Sequence, residues 1–129
     1  MDKFERTLRV LIVDDHLDAA DTLARLLRLR NCEVCIAHDG TRALELARDF
    51  HPLVFLLDLG LPGLDGYELA RILHADPQFA LSHMIAISGY AQESDFARSR
   101  DAGFDHHFAK PVNFAELCNV IRSAVSGRQ

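Results

Sequence analysis

The stretch that decides the fold is Leu8-Arg9-Val10-Leu11-Ile12-Val13-Asp14-Asp15. Four aliphatic residues, Val10 to Val13, follow one another without polar alternation and stop at two acids. A strand with one wet face alternates apolar and polar residues, whereas a strand covered on both faces does not. The run therefore predicts a strand inside a parallel sheet. Four further short runs lie downstream: Val34–Ala37, Leu53–Leu57, Met84–Ser88 and His106–Ala109. Several are rich in Val, Ile and Phe and continuous in the same way.

Helical spacing fills the intervals. Leu23, Leu26, Leu27 and Arg30 recur with a 3.6-residue period, with Asp18 and Asp21 near the start. Ala43, Leu44, Ala47 and Phe50 repeat the pattern, as do Leu69, Ile72 and Leu73, entered through Asp65 with Glu68 three residues on. The fourth interval, Glu93–Ala102, is mostly polar and meets a helix stop at Gly103. The fifth opens on Asn113-Phe114-Ala115-Glu116, a capping box with Asn as the cap, and continues through Leu117, Val120, Ile121, Ala124 and Val125 as a buried stripe. Five β-α units imply an α/β protein with parallel strands and right-handed crossovers. The expectation is a single domain over residues 1–129 with a core from about 8 to 126.

Composition excludes several classes. The chain has 129 residues, 49% of them hydrophobic, too many for a disordered segment. No apolar run approaches the ~20 residues of a membrane span. The opening Met1-Asp2-Lys3-Phe4-Glu5-Arg6 mixes acids into what a signal peptide keeps basic. A cytoplasmic protein without membrane contact is expected. A net charge of −5 argues against direct nucleic-acid binding, which needs clustered Lys and Arg. Three cysteines make no disulfide framework. Cys32 and Cys35 form a C-x-x-C, but redox motifs of that kind open a helix. Here Cys35 falls in an expected strand and Cys32 in the loop before it.

The polar residues sit where open α/β sheets bind ligands, at the carboxyl ends of strands. Asp14-Asp15 end the first run, Asp58 the third, Ser88 the fourth and Lys110 the fifth. Asp15 is open to a plain role as the next helix's N-cap, in competition with Asp18. Asp58 and Ser88 stand too far ahead of their helices for that. Lys110 precedes a helix N-terminus, a poor place for a cation unless anions surround it. Three converging carboxylates repel one another by about 4 kcal/mol per pair at ~4 Å and an effective dielectric near 20. Such oxygens suit Mg²⁺, with Mn²⁺ as the alternative, and a magnesium ion commonly shares its shell with a phosphate. The pocket thus predicts a divalent cation together with an oxyanion, to which Ser88 and Lys110 could donate. Gly60, Gly63 and Gly66 follow the third strand without G-x-G-x-x-G spacing and read as loop geometry, with Gly63 after Pro62 suiting a type II turn.

Four stretches resemble the receiver domains of two-component response regulators: Val10–Asp15, Leu57-Asp58-Leu59-Gly60-Leu61-Pro62-Gly63-Leu64-Asp65-Gly66, Ile87-Ser88-Gly89, and Lys110-Pro111. The resemblance implies a doubly wound five-stranded parallel sheet of order 2-1-3-4-5, the flavodoxin-like receiver fold. It implies that Asp58 is the phosphoacceptor, attacking a phosphohistidine on a sensor histidine kinase or histidine phosphotransfer protein. Asp15, Asp58 and the Gly60 backbone carbonyl match direct Mg²⁺ ligands, and Asp14 matches an acid that holds the metal through water. Lys110 matches the lysine on a phosphoryl oxygen. Ser88 matches the switch hydroxyl, which His107 would follow where the family usually has Tyr or Phe. Pro111 matches a proline whose preceding peptide bond is usually cis. The chain is then a signalling domain that assists its own phosphorylation and dephosphorylation rather than an enzyme in the ordinary sense, acting on a downstream protein that the sequence does not name. A homodimer is one assembly open to it. Receivers attached to hybrid sensor kinases are a weaker analogy.

Some residues depart from the family pattern. His107 is smaller than the usual aromatic and able to protonate, which predicts a pH-sensitive switch. His106-His107 is read as a strand end rather than a metal pair. Gly89 stands where Ala is common. Gly60 brings no side chain to orient water, and Tyr90 could screen the phosphoryl group, so self-dephosphorylation is expected to be slow. Two other classes are weighed. An Asp-nucleophile phosphatase would carry D-x-D after its first strand and a lid domain. A receiver-fold interaction module acting without phosphorylation would not need every site position filled.

Overall fold

The computed structural model describes residues 3–61, 65–89 and 93–127, the side chains of 93–96 and 127 excepted. The elements are β1 (Leu8–Val13), α1 (Leu17–Arg28), β2 (Cys32–Ala37), α2 (Gly40–Phe50), β3 (Val54–Asp58), α3 (Gly66–Ala75), a 3-10 turn (Pro77–Phe79), β4 (His83–Ser88), α4 (Glu93–Asp101), β5 (His106–Ala109) and α5 (Phe114–Gly127). The five strands form one sheet in the order β2-β1-β3-β4-β5, with every pair parallel. The strand order reverses beside β1, which opens a crevice at the carboxyl edge between β1 and β3.

Strand parity builds two cores. Leu11, Val13, Phe55, Leu57, Met84 and Ala86 face one side and pack with residues of α2 and α3 and with Ala102 and Phe104. Val10, Ile12, Val54, Leu56, Ile85 and Ile87 face the other and pack with α1 and α5. Neighbouring residues point to opposite faces of a strand, so an unbroken aliphatic run serves both layers. Each fully buried Leu or Ile contributes roughly 1.5–3 kcal/mol.

Local signals set the helix starts. The Asp39 carboxylate accepts from the Arg42 N–H at 2.8 Å, Asp65 from the Glu68 N–H at 2.9 Å, and the Asn113 side-chain oxygen from the Glu116 N–H at 3.1 Å. The opening of α1 differs from expectation. Its N-cap is His16, with no side-chain cap bond, and Asp18 lies in the first turn. Asp15 is excused from capping because the chain enters α1 one residue later. The α1 stripe also differs: Ala20, Ala24 and Leu27 are buried, while Leu26 is exposed. Ile72 of α3 is likewise exposed. Each helix lies on the sheet along a narrow line, and the flanking aliphatics fall outside it. In α5, Leu117 and Ile121 are fully buried, whereas Val120, Ala124 and Val125 are half-buried.

Cys32 belongs to β2 rather than to the loop before it, because Leu8 of β1 pairs with it. All three cysteines are free thiols. β3 runs one residue further than expected and includes Asp58, and α4 ends at Asp101. Gly103 then adopts φ of 103°, a left-handed conformation that suits glycine. Gly66 is needed for a different reason. A Cβ there would stand 2.9 Å from both the Asp58 carbonyl oxygen and Leu59 Cα, so the start of α3 touches the tip of β3 backbone to backbone. The expected turn at Pro62-Gly63 and the screening role of Tyr90 fall outside the described residues.

Candidate functional site

Register brings the acids together. β1 and β3 pair Val10 with Val54, Ile12 with Leu56 and Val13 with Leu57. Carrying the ladder on by one step sets Asp14 beside Asp58, both on the face shared by α1 and α5. Both carboxylates are buried, Asp58 at 5% and Asp14 at 8% exposure. Asp15, beyond the end of β1, is exposed, and its carboxylate also reaches the cluster. One ligand-type atom from each of Asp14, Asp15, His16 and Asp58 lies within 4.8 Å of the others. A cleft of about 760 Å³ opens beside the cluster, lined by His16, Leu17, Asp58, Gly60, Gly89 and Lys110 among others.

Counter-groups hold the pocket together. Lys110 Nζ donates to Asp58 Oδ2 at 3.2 Å and stands 3.9 Å from Asp14 Oδ2. That resolves its position ahead of α5, since two anions outweigh the unfavourable helix end. The Lys110–Pro111 peptide bond is cis. The Gly60 N–H donates to Asp58 Oδ1 at 2.9 Å, and the His16 N–H donates to Asp14 Oδ1 at 2.9 Å. Both Asp58 oxygens are thus engaged. His16 Nδ1 lies 3.2 Å from Asp14 Oδ1, 3.2 Å from Asp15 Oδ1 and 3.8 Å from Asp58 Oδ2. Burial pushes the Asp14 carboxyl above the usual carboxylate range. The His16 backbone N–H and the Lys110 charge pull it back, and the Asp58 charge adds to the rise. Three carboxylates against the one ammonium of Lys110 leave the pocket net negative.

Ser88 is present at the same edge but bonded elsewhere. Its hydroxyl, in a residue only 8% exposed, lies 2.7 Å from His107 Nε2. The other ring nitrogen, His107 Nδ1, lies 3.2 Å from Ser99 Oγ on α4. Ala86 pairs with His107 and Ser88 with Ala109, which places the imidazole and the hydroxyl on the α4 side of the sheet. A neutral imidazole donates through one nitrogen and accepts through the other, so it can link two hydroxyls at once. His106 is exposed and His107 half-buried, with both of the His107 nitrogens engaged by serines.

Sequence reasoning assembled Asp14, Asp15, Asp58, Ser88 and Lys110 at one edge, and all five lie there. It missed His16 and Ser99. His16 follows two acids and gives no periodic or motif signal. Ser99 lies in a polar helix, where nothing in the pattern marks one hydroxyl as buried at 1% exposure.

Comparison with known proteins gives a consistent picture. The family model described as "Response regulator receiver domain" matches residues 10–122. Protein PilG of Pseudomonas aeruginosa is 31% identical over 92% of this chain and 87% of its own length. The DNA-binding response regulator MtrA of Mycobacterium tuberculosis is 31% identical over 89% of this chain, which spans about half of that protein (49%). Among solved structures, a response regulator protein from Burkholderia pseudomallei, crystallised with a phosphorylated aspartic acid, calcium ion and citrate, superposes with a TM-score of 0.82 at 27% identity. The match covers 94% of this chain and 71% of that one.

Proposed function

Since the chain belongs to the response regulator receiver domain family of two-component signalling, we propose that Asp58 accepts a phosphoryl group from a phosphohistidine on a sensor histidine kinase or histidine phosphotransfer protein. One observation carries this reading. A nearly buried carboxylate at the tip of β3 sits between Lys110 Nζ at 3.2 Å and a second buried acid, Asp14, under an open cleft. An Asp58 oxygen attacks phosphorus, the P–N bond breaks, and the donor imidazole leaves with the electron pair and takes up a proton. The product is a mixed anhydride, stable only until water hydrolyses it. Charge on the equatorial oxygens of the moving group needs positive partners, and Lys110 is one. The Gly60 N–H orients the carboxylate beforehand.

The donor set also fits a divalent cation. Hard carboxylate oxygens from Asp14, Asp15 and Asp58 gather within 4.8 Å of one another, and the three carboxylates outnumber the single ammonium of Lys110. We assign Asp15, Asp58 and the Gly60 carbonyl as ligands to Mg²⁺ or Mn²⁺, with Asp14 acting through water. Such an ion, when bound, supplies positive charge to the phosphoryl oxygens. The phosphorylated aspartic acid and calcium ion in the Burkholderia relative support this reading for a neighbour of the same fold.

The output runs through the Ser88–His107–Ser99 link. A phosphoryl group adds charge and acceptor oxygens at Asp58. Ser88 turns toward them, gives up its place on His107 Nε2, and leaves the imidazole held from the α4 side. The two arrangements form a biased equilibrium that changes the α4–β5 face offered to a downstream protein. With its acidic balance this domain does not itself bind nucleic acid, and among the described residues no helix is long and apolar enough to cross a membrane. We assign it to the cytoplasm with its kinase.

The test is incubation with Mg²⁺ and acetyl phosphate, reading intact mass. Wild type should gain one phosphoryl group and Asp58→Asn none. Equal labelling of both, or of neither, contradicts the assignment.

A further inference from the structure

We propose that His16 is a ligand of the cation in the acid pocket, and that it shifts the site's preference toward ions that favour imidazole nitrogen. The inference rests on the reading of the pocket as a divalent-cation site and goes beyond it, to which cation is held and by what.

The geometry is that of a donor poised with the others. Ligands ~2.1 Å from a common ion lie about 3.0 Å apart at right angles and about 3.4 Å apart at tetrahedral angles. Of the two carboxylates assigned as direct ligands, Asp15 Oδ1 stands 3.2 Å from His16 Nδ1, inside that range, and Asp58 Oδ2 stands 3.8 Å away, a few tenths of an ångström beyond it; Asp14 Oδ1, the acid acting through water, is also 3.2 Å from the ring nitrogen. The same nitrogen that can hydrogen-bond these carboxylates can, once deprotonated, offer its lone pair to an ion they share. The backbone explains how it reaches them. His16 is the N-cap of α1 in an extended conformation, and its own N–H is tied to Asp14 Oδ1 at 2.9 Å. That tether folds the segment back over the acids and directs Nδ1 inward, while most of the ring stays in solvent. These acids are the side chain's polar partners among the described residues, and with the side chain 68% exposed it has room to adjust by the few tenths of an ångström that coordination needs.

The chemistry follows from the donor type. Mg²⁺ prefers oxygen and gains little from imidazole, whereas Ni²⁺ and Zn²⁺ bind it well. An all-carboxylate pocket discriminates between these ions only by their general affinity order. Adding one nitrogen raises the affinity for Ni²⁺ selectively.

The experiment is calorimetric titration of the full chain at fixed neutral pH with Mg²⁺ and, separately, Ni²⁺, for wild type, His16→Ala and His16→Gln. Gln keeps a polar chain but lacks the imidazole. Both variants should lose about tenfold or more in Ni²⁺ affinity while Mg²⁺ affinity stays within about twofold. The chain has 7 histidines, so two controls locate the effect. Excess Mg²⁺ should compete with the Ni²⁺ that His16 binds, and His106→Ala should leave the Ni²⁺ affinity unchanged. Paramagnetic broadening of the His16 ring signals by sub-stoichiometric Ni²⁺ gives a readout independent of affinity. If Mg²⁺ binds wild type but the Ni²⁺/Mg²⁺ ratio is the same in all three proteins, the role of His16 is overturned and the cation site survives. If wild type binds neither ion, the cation site itself is overturned.

Discussion

Gly66→Ala tests how the start of α3 holds the phosphoacceptor strand. An alanine Cβ would stand 2.9 Å from the Asp58 carbonyl oxygen, 2.9 Å from Leu59 Cα and 2.9 Å from Leu59 Cδ2. Unstrained carbon contacts fall near 3.5–4.0 Å, so backbone must move by roughly half an ångström. The Leu59 side chain can rotate, but the two backbone atoms cannot yield independently. The Leu59 N–H donates to the Ile87 carbonyl at 3.0 Å, and the Gly60 N–H donates to Asp58 Oδ1 at 2.9 Å. Overpacking of this kind costs about 1–3 kcal/mol. Helix propensity returns up to ~1 kcal/mol for Gly to Ala, less at a first helical position. The net expectation is a loss of about 1–2 kcal/mol in urea unfolding, or roughly 4–8 °C in Tm for a domain of this size. Phosphorylation by acetyl phosphate should slow as well, because the displaced atoms carry Asp58. A Gly66→Ala variant with wild-type stability and labelling rate would refute the backbone contact between α3 and β3.

Other expectations follow from the same geometry. In metal-free protein with chelator present, Asp14→Asn should raise the urea midpoint at neutral pH. The raised carboxyl of Asp14 means that folding favours its proton, so the penalty is full above the folded pKa. It fades as pH falls through that pKa toward the ordinary value, and the gap between variant and wild type should close over the same window. Burial pushes the Cys32 thiol up to about 11, so at pH 8 only about 0.1% is thiolate and native-state alkylation should spare it. Rapid modification of Cys32 in folded protein would contradict its place in β2. Ser99→Ala should leave Asp58 labelling intact yet weaken transmission to α4, seen as smaller chemical-shift changes in α4 amides on phosphorylation. Identical shifts in Ser99→Ala and wild type would exclude the His107 link. His107→Phe removes the titratable ring from the link, so activation should lose a pH dependence that wild type shows; unchanged pH dependence would contradict that role.

The legible parts of this protein are those governed by short-range rules. Unbroken runs such as Val10–Val13 announced strands shared by two cores, because parity leaves no exposed face to mark with polar residues. Asp58 was legible because it lies too far from α3 to serve as its cap. The convergence of Asp14, Asp58 and Lys110 followed from strands ending at one edge. Side-chain direction was not legible. Whether His16 turns inward depends on a backbone hydrogen bond to Asp14, and no periodicity records it. Leu26 and Ile72 fit a helical stripe on paper, but the buried line of α1 runs through Ala20, Ala24 and Leu27 and that of α3 through Leu69, Ala70 and Leu73, which leaves both outside. The Ser88–His107–Ser99 link joins three elements that only tertiary packing brings together. Cys32 was misplaced because a strand's first residue is settled by its partner Leu8 and not by its own neighbours.

The most direct measurement locates the covalent bond itself. Protein labelled with acetyl phosphate and Mg²⁺ is reduced with borohydride, which converts an aspartyl phosphate to homoserine, and is then mapped by peptide mass spectrometry. Homoserine is expected at position 58 and at no other acid. Homoserine at Asp14 or Asp15, or none anywhere in protein shown to carry phosphate, would contradict the assignment of Asp58.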